Sequence, residues 1–140
     1  MTDAVLIDVN IPMYAAGRDH PLREPARQVV RAIARGELEA VTDAEIFQEI
    51  LYRYLHIGER DKGLQVFDRF HRVMEGRVLP VGDAEVLQAR TLAERHPRLG
   101  ARDLIHLAVM RNNQIRRIVS ADQHFDDLDG IERVDPTAFL

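Results

Sequence analysis

The sequence predicts an α/β fold, with four or five parallel strands in one sheet flanked by helices on both faces. Short apolar runs of strand length alternate with longer segments in which apolar residues recur every three or four positions. Two of those runs, Val5-Leu6-Ile7 and Ile118-Val119, lead into an aspartate: Asp8 directly, Asp122 just beyond. The 140 residues, 46% apolar and 30% charged, have the composition of an ordinary globular chain long enough to bury a core. Residues 1–140 are read as a single domain, without repeat, low-complexity stretch or linker.

The first strand is expected at about residues 4–8, and Asn10-Ile11-Pro12 begins a short helical turn ended by Gly17. Residues 23–35 carry an apolar stripe of Ala26, Val29, Val30, Ile33 and Ala34, with Gly36 as the stop. Arg23, Arg27, Arg31 and Arg35 recur every four residues on another face. Such rows are mostly solvated, but this one is also a candidate phosphate track. Leu38 to Val41 is the second strand. Thr42-Asp43-Ala44-Glu45 then has the spacing of a capping box, Thr42 as N-cap and Glu45 at N3, opening a helix to about Leu55. Its core stripe is Ile46, Phe47, Ile50, Leu51, Tyr54 and Leu55. Because the box occupies Glu45, the free carboxylate of this helix is Glu49, one turn deeper.

Asp61 can cap a helix over 62–75, with Leu64, Phe67, Phe70, Val73 and Met74 facing inward. Val78, Leu79 and Val81 suggest a third strand, which Pro80 confines to an edge or shortens. Gly82-Asp83 opens a helix to about Arg95, closed by His96-Pro97. Residues 100–112 form the most apolar helix, with Ala101, Leu104, Ile105 and Ala108 on its core side and Asp103 and His106 on another. Ile118-Val119 is the fourth strand, Gln123 to Leu128 a helical turn, and Ile131 to Val134 a last short strand. Alternating strands and helices imply a parallel sheet covered on both faces.

The absence of cysteine excludes disulfides and thiolate metal sites. No apolar run approaches the ~18 residues of a membrane span, and no signal peptide pattern opens the chain, so a cytoplasmic location without membrane contact is expected. The net charge of −4 argues against broad attraction to nucleic acid, although a bound cation can supply positive charge to an acidic site. The chain offers such a site if Asp8, Glu49, Asp103 and Asp122 converge at one sheet edge. Carboxylates ~5 Å apart repel by roughly 3 kcal/mol per pair at an effective dielectric of 20. Several cannot stay ionised together without a cation or raised pKa values. An all-oxygen pocket suits Mg²⁺ or Mn²⁺ better than zinc. Taken singly, each acid is more simply a cap or a solvated side chain.

Four short motifs decide between these readings. They are Leu6-Ile7-Asp8-Val9-Asn10, Gln48-Glu49-Ile50-Leu51, Ala101-Arg102-Asp103-Leu104-Ile105-His106-Leu107-Ala108 and Ser120-Ala121-Asp122-Gln123-His124-Phe125. In this order and spacing the chain resembles PIN-domain ribonucleases over nearly its whole length, most closely the toxin component of VapBC-type toxin–antitoxin pairs. The resemblance implies a PIN-like three-layer sandwich and metal-dependent endonucleolytic cleavage of RNA. It implies that Asp8, Glu49, Asp103 and Asp122 are the catalytic, metal-holding acids. Asn10 and Ser120 would orient ligands or water beside them, and Asp126 stands where some members have an additional acid. His124 replaces an aspartate found in many members and is more simply a surface histidine than an imidazole near the phosphate. His106 is expected to pack or hydrogen-bond rather than to ligate.

On this reading Asp8 and Asp103 hold the principal Mg²⁺ or Mn²⁺, and Asp122 and Glu49 complete the site directly or through waters. A water attacks in line and leaves a 5′-phosphate and a 3′-hydroxyl. The expected partners are RNA, a second copy of the chain, and a separate antitoxin whose tail lies in a groove between the helices at 43–55 and 60–75. Two other classes compete. A Mg²⁺-dependent aspartyl-phosphate phosphoryl-transfer domain also places aspartates at strand ends, but no acid directly precedes Asp8, and Asn10 stands where a phosphatase needs a second aspartate. A non-catalytic PIN-like scaffold binding RNA or protein would not need all four acids.

Overall fold

The computed structural model describes residues 3–139. Its strands are β1 (Val5–Ile7), β2 (Ala40–Asp43), β3 (Val78–Leu79), β4 (Arg117–Val119) and β5 (Glu132–Val134). They form one five-stranded sheet in the order β3-β2-β1-β4-β5. Every pairing is parallel, with Leu6 opposite both Val41 and Ile118. The helices are α1 (Asn10–Ala15), α2 (Arg23–Ala34), α3 (Ala44–His56), α4 (Arg60–Val73), α5 (Asp83–Arg95) and α6 (Ala101–Asn112). Short 3₁₀ turns follow at Gln123–Phe125 and Pro136–Phe139.

The period of two in β1 separates the two cores. Val5, Ile7 and Val9 join a cluster with residues of α2, α3 and α4, whereas Leu6 joins Val109 and Met110 of α6. In β4 the split recurs, Val119 facing the first cluster and Ile118 the second. Ala89 and Leu92 of α5 extend the second layer through Leu104, Leu107 and Ala108. The result is the expected three-layer sandwich.

The strand order also selects the place for a ligand. From β1 the chain moves outward through β2 to β3, then returns past β1 to β4 and β5. The topological switch lies between β1 and β4, and in open parallel sheets ligands bind outside the carboxyl ends of such strands. Asp8 follows β1 there, and Ser120-Ala121-Asp122 follows β4.

Several local expectations are corrected. β2 runs two residues beyond Val41, so Thr42 is a strand residue and Asp43 caps α3, accepting from the Ile46 N–H at 3.1 Å. The reason is tertiary: the Thr42 N–H is taken by Arg77 O at 3.0 Å, and its hydroxyl donates to Ile7 O at 2.9 Å. The α4 helix starts at Arg60, placing Asp61 in its first turn instead of at the cap. Leu55 and Leu64, expected inside, are 40% and 45% exposed, and Ala101 is exposed at the start of α6.

Gly63 shows how closely α3 and α4 approach. A Cβ at this buried position would collide with the Cβ of Tyr54. Gly63→Ala is therefore expected to cost about 2 kcal/mol through overpacking, despite alanine's higher helix propensity. A lowered urea midpoint checks this; an unchanged or raised midpoint contradicts the close packing.

Candidate metal centre

Asp8 leaves the sheet as a buried carboxylate, 4% exposed, with both of its oxygens hydrogen-bonded. Its N–H continues the ladder to Val119 O at 3.1 Å. Its Oδ1 accepts from the Val9 N–H at 2.7 Å, and its Oδ2 accepts from Ser120 Oγ at 2.6 Å and Asn10 Nδ2 at 3.3 Å. Ser120 Oγ in turn accepts from Asn10 Nδ2 at 3.1 Å and from the Asp122 N–H at 3.0 Å. Asn10 Oδ1 accepts from the Ala121 N–H at 3.1 Å. These bonds tie the ends of β1 and β4 together and fix the carboxylate. Burial pushes Asp8 above the usual carboxylate range, against the opposing pull of His106, Ser120 and the Val9 N–H.

The four acids named from the sequence divide into two groups. Ligand atoms of Asp8, Glu49 and His106 lie within 4.8 Å of one another, and so do those of Asp103, Asp122 and His124. Glu49, Asp103 and Asp122 line a single open pocket of about 560 Å³ together with Glu45, Arg53, Arg102 and His124. Asp8 adjoins it through Glu49. Burial raises Asp103 and the charge of Asp122 adds to this, while His124 and His106 oppose it. His124 is not a free surface imidazole: its Nδ1 stands 3.2 Å from Asp103 Oδ2 and 3.1 Å from Asp122 Oδ2. Glu49 behaves differently. Burial would raise its pKa, but His106 and the guanidinium of Arg53, 2.7 Å from Oε2, hold it below its ordinary value.

Asp43 and Glu45 were missed by sequence reasoning because Thr42-x-x-Glu45 mimics a capping box. Released from that task, Glu45 is partly buried beside the pocket, 3.8 Å from Arg102 Nε, and burial raises its pKa. Asp43 is fully buried; its Oδ1 caps α3 and its Oδ2 stands 2.7 Å from His106 Nδ1. Since a carboxylate only accepts, Nδ1 carries the proton. His106 is wholly buried as well. Burial disfavours its charge, but Asp43, Glu49 and Asp8 outweigh that and raise its pKa well above 6.5. The available signal for Asp43 was a strand ending in an acid, the pattern already recognised at β1 and β4.

Other named residues lie elsewhere. Asp126 is held in a two-pronged pair by Arg133, at 2.8 and 3.3 Å, and belongs to neither group. In the arginine row, Arg23, Arg31 and Arg35 face Asp19, Glu24 and Glu37, while Arg27 donates to Ala15 O. None of the four lines the acidic pocket. The donor set fits a divalent cation: five carboxylates (Asp8, Glu45, Glu49, Asp103 and Asp122) are at or beside the pocket, and the Nε2 of His106 is buried without a hydrogen-bond partner among the described residues.

The buried His106–Asp43 pair generates a stability prediction for the metal-free protein. His106→Gln leaves Asp43 without its partner and is expected to cost about 3 kcal/mol at slightly acidic pH. A folded-state pKa raised above 6.5 means that the stabilisation is complete below pH 6.5 and is lost as pH rises through the raised value. The stability gap between parent and variant, measured by urea unfolding in chelator, should narrow toward alkaline pH. A gap that widens with pH would contradict a charged His106.

The family model for the PIN domain matches residues 5–131. Ribonuclease VapC13 of Mycobacterium tuberculosis is 39% identical over 130 residues, covering 93% of this chain and 98% of that protein. Among solved structures, VapBC2 from Rickettsia felis bound to a promoter DNA fragment superposes with a TM-score of 0.72, covering 94% of this chain and 98% of that one at 15% identity. A toxin–antitoxin complex from Klebsiella pneumoniae gives a TM-score of 0.64 at 15% identity, covering 94% and 97%. The structural likenesses bear on the fold, while the family match and the sequence relative bear on kinship. The chain belongs to the PIN-domain family.

Proposed function

We propose that this chain is the toxin of a toxin–antitoxin pair, an endoribonuclease that hydrolyses RNA phosphodiester bonds at the pocket between β1, β4, α3 and α6. The observation that carries this reading is a PIN-family chain whose acids surround one open pocket at the topological switch. Asp8, Glu49, Asp103 and Asp122 would hold Mg²⁺ or Mn²⁺. When bound, such an ion supplies positive charge that acidifies a water and steadies negative charge on phosphate oxygens.

The chain's own residues set the stage for this chemistry. Ser120 and Asn10 lock Asp8 in one orientation, so the carboxylate is preorganised. Ser120 Oγ cannot serve as nucleophile, because it is buried and committed to Asp8, Asn10 and the Asp122 N–H. On this reading water is the attacking group, and cleavage leaves a 5′-phosphate and a 3′-hydroxyl. Arg53 and Arg102 line the pocket and are the cations positioned to meet phosphates of the bound strand. Asp126, drawn to Arg133, braces the segment after β4 instead of supplying a ligand.

A separate apolar groove of about 230 Å³ suits the antitoxin. Pro12, Ala15, Ala16, Val30, Val66 and Phe70 line it, with Arg27, Arg31 and Arg69 among the lining residues. It lies between α1, α2 and α4, so α4 contributes as expected while α2 takes the place foreseen for α3. Two arginines of the row thus serve this groove, which favours an apolar segment carrying acidic residues. Tyr52, Leu55, Ile57 and Leu64 are exposed around the α3–α4 hairpin and form a face for a second copy of the chain. Among the described residues no helix is long and apolar enough to cross a membrane, and the proposed place of action is the cytoplasm.

Asp8→Asn is expected to fold like the parent, because asparagine removes a charge that burial already disfavours. Its RNA cleavage in Mg²⁺ or Mn²⁺ should fall at least about a hundredfold, beyond the loss seen for outer partners of a metal ligand. Cleavage at the parental rate would remove Asp8 from the centre. In size-exclusion chromatography the free chain should run as a dimer, and a monomer at micromolar concentration would contradict the α3–α4 face.

A further inference from the structure

This inference rests on the reading of the acidic pocket as a metal centre and concerns which atoms hold the ion. The sequence pointed to an all-oxygen site. The structure adds a nitrogen. His106 is fully buried; its Nδ1 is committed to Asp43 at 2.7 Å, and its Nε2 has no hydrogen-bond partner among the described residues. Leaving a buried polar atom unpartnered costs on the order of 1–3 kcal/mol, so such an atom calls for a reason. Nε2 lies 3.8 Å from Glu49 Oε1, too far for a hydrogen bond, and belongs with Asp8 and Glu49 to the group whose ligand atoms are all within 4.8 Å.

Nε2 thus faces Glu49 Oε1 only across a long ion pair, beside the Asp8 carboxylate. Arg53 takes Glu49 Oε2, so Oε1 is the oxygen turned toward His106. The Asp8 oxygens accept from Ser120, Asn10 and the Val9 N–H, and a carboxylate retains further lone pairs beyond these. An imidazole whose Nδ1–H is held by a carboxylate is the arrangement that orients ligating histidines elsewhere. Asp43 is itself anchored, because its other oxygen caps α3.

We propose that His106 Nε2 is a direct ligand of the divalent ion, together with Asp8 and Glu49, and that this nitrogen shifts the site's preference from Mg²⁺ toward Mn²⁺. Mg²⁺ favours oxygen donors in near-ideal octahedra, whereas first-row transition ions accept imidazole. In the ligand form the ring keeps its proton on Nδ1, facing Asp43, and the Nε2 proton passes to solvent when the ion enters. His124 does not play this part. Its Nδ1 rests on both Asp103 and Asp122, and its side chain is mostly exposed, so it belongs with those acids and not with the buried group.

The test uses the full chain with Mn²⁺ as the probe. Pulsed electron paramagnetic resonance of the Mn²⁺-loaded protein should show a directly coordinated nitrogen, and incorporation of ¹⁵N-histidine should convert the signal. The coupling should persist in His124→Gln and vanish in His106→Gln. Calorimetry should show Mn²⁺ binding weakened about tenfold or more in Asp43→Asn, whose Oδ1 can still cap α3 while its amide no longer holds the ring proton. Mg²⁺ binding should change by less than that. Because His106→Gln can fail to fold, the isotope experiment on the parent and the His124→Gln control decide without it. Mn²⁺ bound with no histidine nitrogen coupling, or coupling lost in His124→Gln, overturns the ligand assignment alone. Failure of the parent to bind Mn²⁺ at all overturns the metal-centre reading as well.

Discussion

A buried carboxylate must be hydrogen-bonded, and meeting that requirement for Asp8 organises the site end of the molecule. Its partners come from the residue after it, from the first turn of α1 and from the end of β4, 112 positions away. The hydroxyl of Ser120 then turns outward its remaining capacity to Asn10 and to the Asp122 N–H. One polar network thus closes the switch point between β1 and β4 and orients two of the acids that flank it. Because β1 is the central strand and is buried on both faces, this arrangement inherits the rigidity of the two cores.

A second buried pair does comparable work between α3 and α6. Asp43 ends β2, caps α3 and holds His106 of α6, so one side chain links a strand and two helices. Buried ion pairs add little net stability against apolar replacements of the same shape, but losing one partner is costly. Their contribution here is placement: the imidazole is held beside Asp8 and Glu49 at a fixed angle. Arg53 and Arg102 add two positive charges from the pocket side, paired with Glu49 and Glu45.

The acidic pocket and the apolar groove share the scaffold without sharing residues. The groove lies against the α1–α4 layer, whereas the pocket opens at the strand ends between α3 and α6. The N-terminal segment joins them, since Asp8 and Asn10 serve the site while Pro12 and Ala15 line the groove. A partner seated along α1 therefore lies within a few residues of the carboxylate that anchors the site.

Much of this was legible in the chain. The apolar runs and their periods specify the alternating strands and helices, and the aspartates that follow β1 and β4 mark the sheet edge where the acidic pocket opens, because these signals are local. Motif spacing also picked out Glu49, Asp103 and Asp122, which do line one pocket. Thr42 and Glu45 were misread because a capping box is a local pattern, and the strand hydrogen bond from the Thr42 N–H to Arg77 O, with the Thr42 hydroxyl donating to Ile7 O, overrides it. Leu55 and Leu64 sit on apolar stripes wider than the core they face. The pairing of Asp43 with His106 across 63 positions and the division of the acids into two groups required the packed structure. Which atom neutralises which is set by distance and burial in three dimensions, and a one-dimensional pattern carries neither.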